Sequence, residues 1–129
     1  MGNGTELGRV RGLGAAHAGT HHWLLQRFTA IGNLILGLFL AFSLASLPAH
    51  DFTTVREWIG QPLPAAALAI FIVNVFWHAR LGLQVLVEDY VHTPGNRFAV
   101  TALLNLWAFA GAGFGVFSIL RIALSTGAA

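Results

Sequence analysis

Three stretches of this chain carry no charged residue: Phe28–Ala49 (22 residues), Trp58–Trp77 (20) and Phe98–Leu120 (23). A helix rising 1.5 Å per residue needs about 20 residues to cross ~30 Å of hydrocarbon. In that medium every backbone N–H and C=O must be satisfied within the protein, and an apolar run of this length does so as a helix. Composition agrees, since only 9% of the residues are charged and 56% are hydrophobic. A soluble domain carries about 25% charged residues. The surface therefore meets lipid. The expected fold is an all-α membrane protein of three transmembrane helices, at about 28–49, 63–90 and 97–124.

Helix punctuation sets the boundaries. Residues 1–26 read as an N-terminal tail, with Thr20 as a cap for the first span. Pro48 closes that span, and a loop of about fifteen residues holding Asp51, Arg56, Glu57 and Pro62 follows. Pro94-Gly95 ends the second span. Residues 125–129 form a C-terminal tail, and neither a repeat nor a second domain is visible. The first apolar run exceeds the ~7–15 residues of a signal-peptide core, so it reads as a span.

Charge and cysteine content remove several functions. Seven arginines and no lysine, scattered along the chain, do not make a nucleic-acid surface. With no cysteine, disulfides, iron–sulfur ligation and covalent c-type haem are excluded. The arginines also orient the chain. Arg9, Arg11, Arg27 and Arg97 lie on one side, Arg56 and Arg121 on the other, which predicts an N-terminus in the cytoplasm or matrix.

Polar groups inside the spans are the chemical signal. Asn33, Asn74 and Asn105 put one amide in each, and Gly111-x-x-x-Gly115 makes a small-residue seam. Such features serve helix–helix contact. Two readings are open: packing among the three spans, or contact with a partner membrane subunit.

The richest segment is HARLGLQVLVEDYVH, residues 78–92. His78 and Asp89 are eleven residues apart, about 1100° of helix and so nearly one direction, with about 16 Å between them along the axis. With Asp89 and Tyr90 at the membrane surface, His78 lies near mid-membrane. Imidazole at that depth is either a hydrogen-bonded structural group, for instance with Asn74, or a ligand to haem iron. Gly82, one turn on, leaves room for a porphyrin. The remaining histidines (17, 21, 22, 50 and 92) lie near the surfaces, so a second axial ligand would come from another polypeptide. Glu88-Asp89-Tyr90 is either a solvated helix end or a quinone site, with a phenol to donate to a carbonyl and a carboxylate to relay protons. Arg80 faces about 200° away from His78 and either snorkels or pairs with an anion of a partner.

These residues resemble the small membrane-anchor subunit of bacterial succinate dehydrogenase, respiratory complex II. The likeness rests on His78, Gly82, Asp89 and Tyr90 in the second span. It rests equally on His21, Arg27, Thr29, Ala30 and Ile31 at the start of the first, and it extends over roughly residues 9–121. The resemblance implies that a second, sister membrane anchor shares one haem b with this chain. His78 would be an axial ligand, His21 and Arg27 would lie near the haem propionates and quinone pocket, and Tyr90 with Asp89 would bind ubiquinone. Electrons would arrive from succinate through an FAD flavoprotein subunit and an iron–sulfur subunit. A bacterial inner membrane is the expected location, with the mitochondrial inner membrane as the alternative. The alternative function is a haem-free structural anchor of the fumarate reductase type, and a self-assembling transporter is a third class.

Overall fold

The computed structural model describes residues 16–126, which form four helices: α1 (Ala16–Ala45), α2 (Phe52–Gly60), α3 (Pro62–Tyr90) and α4 (Pro94–Thr126). No strand occurs among the described residues. Three of the helices are long and apolar enough to cross a membrane, over Gly19–Ala45, Pro62–Tyr90 and Pro94–Ser125. The all-α, three-span architecture is as expected. Arg9 and Arg11, which entered the topology argument, lie outside the described residues.

The ends of these elements follow from local chemistry. Pro62 sits in the first turn of α3, where its missing N–H has no helical partner in any case. Helix α1 stops at Ala45, four residues short of the uncharged run. Pro48 has no N–H to give and disfavours helical backbone at Leu47. At the other end α1 begins at Ala16, so Thr20 lies inside it and does not cap it. Nothing between Ala16 and Gln26 breaks a helix that the apolar run already sustains, and propagation is cheap once a helix exists.

The fifteen-residue connection is not a plain loop. Residues 52–60 form α2, capped by Asp51, whose carboxylate accepts from the Thr53 N–H (3.1 Å), the Thr54 N–H (3.4 Å) and the Thr54 hydroxyl (2.6 Å). These bonds, the Thr54 hydroxyl's foremost, hold the Asp51 carboxyl below the usual carboxylate range. Trp58 is the inward residue of α2 and packs with Leu40 and Ala67. Its indole N–H donates to the Ser43 hydroxyl at 2.8 Å. The short helix thus closes one end of the bundle, lying against α4 and α3 and reaching α1 through Trp58.

Helix α3 is the middle element, with α1 on one side and α4 on the other. Against α4 it packs through large side chains set into glycines. A Cβ at Gly111 would overlap the Phe76 ring, and one at Gly115 would stand 2.7 Å from Ile72 Cγ2. The small-residue seam is therefore closed inside the chain, and is not left open for a partner's backbone. Phe76 also meets Trp107, with ring centroids 5.1 Å apart at 57°.

Candidate membrane redox site on the second transmembrane helix

Where the N-terminal half of α1 meets α3, the contact is polar, while further on Leu36, Leu40 and Gly37 pack on Leu68 and Phe71. Thr29 is the buried polar residue of the described chain, 8% exposed, and it faces α3. His78 Nδ1 lies 2.9 Å from the Thr29 hydroxyl oxygen. That hydroxyl also lies 2.8 Å from the Leu25 carbonyl and 3.1 Å from the Gln26 carbonyl. The Asn74 amide, one turn from His78, donates to the Thr29 carbonyl at 2.7 Å and to Asn33 Oδ1 at 2.8 Å. Gly32 makes this possible, because a Cβ there would sit 2.8 Å from Asn74 Nδ2. His78 therefore has an in-chain partner, and it is Thr29 rather than Asn74. The physical reason is direction: Asn74 is aimed across the interface at α1, not along its own helix.

Toward the N-terminal end of α1 the same interface opens into a groove of about 1090 Å³, with His21, His22, Gln26, Arg80, Gly82 and Glu88 on its walls. His22 Nε2 and Gln26 Oε1 are enclosed there without a hydrogen-bond partner. Unpaired polar atoms of this kind are costly when removed from water, and they commonly mark a place for a bound group or water. Gly82 opens onto the groove, where a Cβ would meet only Gln26 Nε2, at 3.5 Å. His78 is one turn further along α3. Sequence reasoning named His21 and Gly82 here but missed His22 and Gln26. The signal was present: 22, 26, 29 and 33 are polar positions at helical spacing on one face of α1.

The other expected residues are spread out. Arg27 is exposed, its guanidinium 5.2 Å from the centroid of the Trp23 ring. It lies two residues before Thr29, about 200° around the helix, and so faces away from α3. Asp89 is exposed, and Tyr90 is 77% exposed. Tyr90 borders a separate apolar groove of about 590 Å³ with Leu83, Leu86, Val100 and Leu104, on the α4 side of α3. Arg97 donates to the Val91 carbonyl (3.1 Å) and the Glu88 carbonyl (3.3 Å), which closes the carbonyl end of α3. The structure brings His78, Thr29 and the histidine-lined groove together along the α1–α3 seam. It does not bring Tyr90 or Arg27 to them. Arg80 also acquires a role: its Nε–H donates to Asn105 Oδ1, and its guanidinium lies 5.2 Å from the Trp77 ring centroid. Asn33, Asn74 and Asn105 thus each have a hydrogen-bond partner within the chain, so their presence alone does not argue for a partner subunit.

No group of three histidine, cysteine or carboxylate side chains is placed to hold a metal among the described residues. A metal at His78 would therefore take its other ligands from outside the described residues. The geometry is an imidazole near the middle of a membrane-length helix, held from one nitrogen, with polar surface beside it.

The family model described as "Succinate dehydrogenase/Fumarate reductase transmembrane subunit" matches residues 1–112. The chain belongs to this family. It is similar to the succinate dehydrogenase hydrophobic membrane anchor subunit of Rickettsia bellii, 34% identical over 103 residues, covering 80% of this chain and 82% of that one. The succinate dehydrogenase membrane anchor subunit of Reclinomonas americana is 34% identical over 94 residues, 70% of this chain and 78% of the relative. The hydrophobic membrane anchor subunit of Paracoccus denitrificans is 26% identical over 116 residues, 89% and 88% of the two chains. Within the family the chain is a membrane anchor subunit of succinate dehydrogenase, a multi-pass component of a larger complex.

Proposed function

We propose that this anchor and a second, sister anchor together hold one haem b, with His78 as this chain's axial ligand. Tyr90 and Asp89 form part of a ubiquinone site, and the N-terminal side docks the iron–sulfur and flavoprotein subunits from the cytoplasm. The observation that carries the reading is the His78–Thr29 contact at 2.9 Å, which engages Nδ1 and leaves Nε2 for another partner. The enclosed, unpaired His22 Nε2 and Gln26 Oε1 support a polar group in the adjoining groove. Haem b supplies a one-electron redox station within the membrane. His78 binds and orients it. His21, on the groove wall, offers a donor on the propionate side, and Arg27, on the face of α1 away from α3, would pair with a propionate that extends past that face. The Tyr90 hydroxyl donates to a quinone carbonyl, and Asp89 holds or passes the protons that quinol formation consumes.

A second reading rests on the same contact. The same hydrogen bond also suits a structural histidine in a haem-free anchor of the fumarate reductase type. The reduced visible spectrum of the purified complex separates the two. Sharp bis-histidine bands, lost or altered in His78→Ala, are the expected result; an unaltered spectrum in that variant overturns the haem assignment. For the quinone half, Tyr90→Phe keeps the ring and is expected to lower quinone reduction roughly ten-fold, since ~1.4 kcal/mol is a factor of ten. Electron transfer from succinate to an upstream dye should persist. A wild-type quinone rate in Tyr90→Phe would place the site elsewhere.

A further inference from the structure

We infer that Thr29 is the positioning residue for His78: its hydroxyl accepts the Nδ1 proton and so presents Nε2, unprotonated, as the ligating nitrogen. The inference rests on the proposed haem ligation and names the residue that makes His78 competent for it.

The argument is a proton count. An imidazole that coordinates iron through Nε2 keeps its one ring proton on Nδ1, and that proton needs an acceptor in a medium without water. Thr29 Oγ1 is 2.9 Å away. A hydroxyl has one proton to give and two lone pairs with which to accept. The Thr29 proton has carbonyl oxygens of its own helix within reach, Leu25 at 2.8 Å and Gln26 at 3.1 Å. Threonine hydroxyls commonly bond back to the carbonyl four residues earlier. The chain Nδ1–H to Oγ1, then Oγ1–H to a carbonyl, leaves no proton without an acceptor and no second donor competing for Nε2. Partners at the outer nitrogen of a ligating histidine fix its tautomer and ring orientation and raise its basicity.

Thr29 is itself held rigidly. Its carbonyl accepts from the Asn74 amide, which also donates to Asn33. Its side chain is buried where α1 and α3 meet. The acceptor for the ring therefore lies on a different helix from the ring and is tied back to the ring's own helix through Asn74. His78 is oriented only while α1 and α3 stay in register.

The test uses the whole complex in detergent, with three variants at Thr29 and one control. Thr29→Val preserves shape and removes the acceptor, so it is expected to weaken haem retention about 10–100-fold. It should also raise the haem midpoint potential, because a less basic imidazole stabilises ferric iron less. The low-temperature EPR signal of the ferric haem should shift as the ring is released. Thr29→Ala carries the same expectation and stands in if valine disturbs assembly. Thr29→Ser restores the hydroxyl and should return potential and EPR to wild type. Asn74→Leu removes the bond to the Thr29 carbonyl but keeps the hydroxyl beside the imidazole, so its potential should move clearly less than in Thr29→Val. Unchanged potential, EPR and retention in Thr29→Val and Thr29→Ala overturns the inference. A shift in Asn74→Leu equal to that in Thr29→Val also overturns it, by reducing Thr29 to general packing. Failure of the parent reading looks different: the wild-type complex then holds no haem, or His78→Ala leaves the haem unaltered.

Discussion

The two faces of α3 are glued by different physics. Toward α4 the contact is one of volume: the Phe76 ring and Ile72 fill the spaces over Gly111 and Gly115, and Trp107 backs the ring. Toward α1 apolar packing at one end gives way to hydrogen bonds among Thr29, Asn33, Asn74 and His78 at the other. Lipid tails are as apolar as leucine, so neither contact gains much from the hydrophobic effect. Close packing and interhelical hydrogen bonds remain as the forces that join helices in a bilayer. The α4 contact maximises the first, and the α1 contact the second. The polar seam is also the one that carries the candidate ligand. A site that must orient an imidazole needs directional contacts, whereas a seam that only joins helices does not.

The comparison breaks most severely on the volume side. Gly111→Val places methyl groups inside the Phe76 ring and should cost about 3 kcal/mol, at the upper end for overpacking. Loss of the assembled complex in detergent, with partial recovery in Gly111→Val combined with Phe76→Leu, is the expected pattern. If the single variant assembles and melts like wild type, the glycine seam does not carry the α3–α4 contact.

The α3–α4 contact has one polar exception, and removing it should come next in size. Asn105→Leu takes the acceptor from Arg80 and leaves a charged donor in the bilayer interior. Hydrogen bonds to charged groups contribute about 1.5–3 kcal/mol, and thermal unfolding of the purified complex should fall accordingly. Asn105→Gln, which returns an amide, should recover part of the loss.

On the polar side a smaller loss is expected. Asn74→Leu removes two interhelical bonds, each worth on average about 0.6 kcal/mol in membrane proteins and at most about 1.7. Deuterium uptake should rise along the α1–α3 seam and stay at the wild-type level across α3–α4. Equal uptake on both faces would dissolve the distinction between the two contacts.

The least effect belongs outside the membrane, at the cap of α2. The folded Asp51 carboxyl titrates below its unfolded value. Its contribution is therefore complete above the ordinary carboxylate range and is lost as pH falls through the lowered folded value. Amide exchange in residues 52–60 should accelerate only in that acidic window, and Asp51→Ala should show the faster exchange at neutral pH as well.

Much of this was legible without coordinates. Uncharged runs of 20 or more residues name the spans, and Pro48, Pro62 and Pro94 punctuate them, because a missing N–H acts wherever the proline stands. The site was legible in part. His78 could be assigned a depth, and the motif around Arg27 and Thr29 could be noticed. The polar stripe of His22, Gln26, Thr29 and Asn33 was there to be read at helical spacing. The α2 helix was missed although its signal was present, with Asp51 as a capping residue and Val55, Trp58 and Ile59 at helical spacing; the seating of Trp58 against Ser43 and Leu40 only the fold could show.

What the sequence alone determined is therefore the medium, the number of crossings and which residues share a helical face. Periodicity within one helix dictates these, and no neighbour is needed. Tertiary structure decided which face meets which. It paired His78 with Thr29, 49 positions away, instead of with Asn74 four positions away, and it set Gly111 and Gly115 of α4 against Phe76 and Ile72. It also turned Arg80 to Asn105, 25 positions on. Hydrogen bonds and steric fit act over about 3–4 Å, so they depend on the rotation and offset of each helix against the next. Spacing along a single helix carries no record of either.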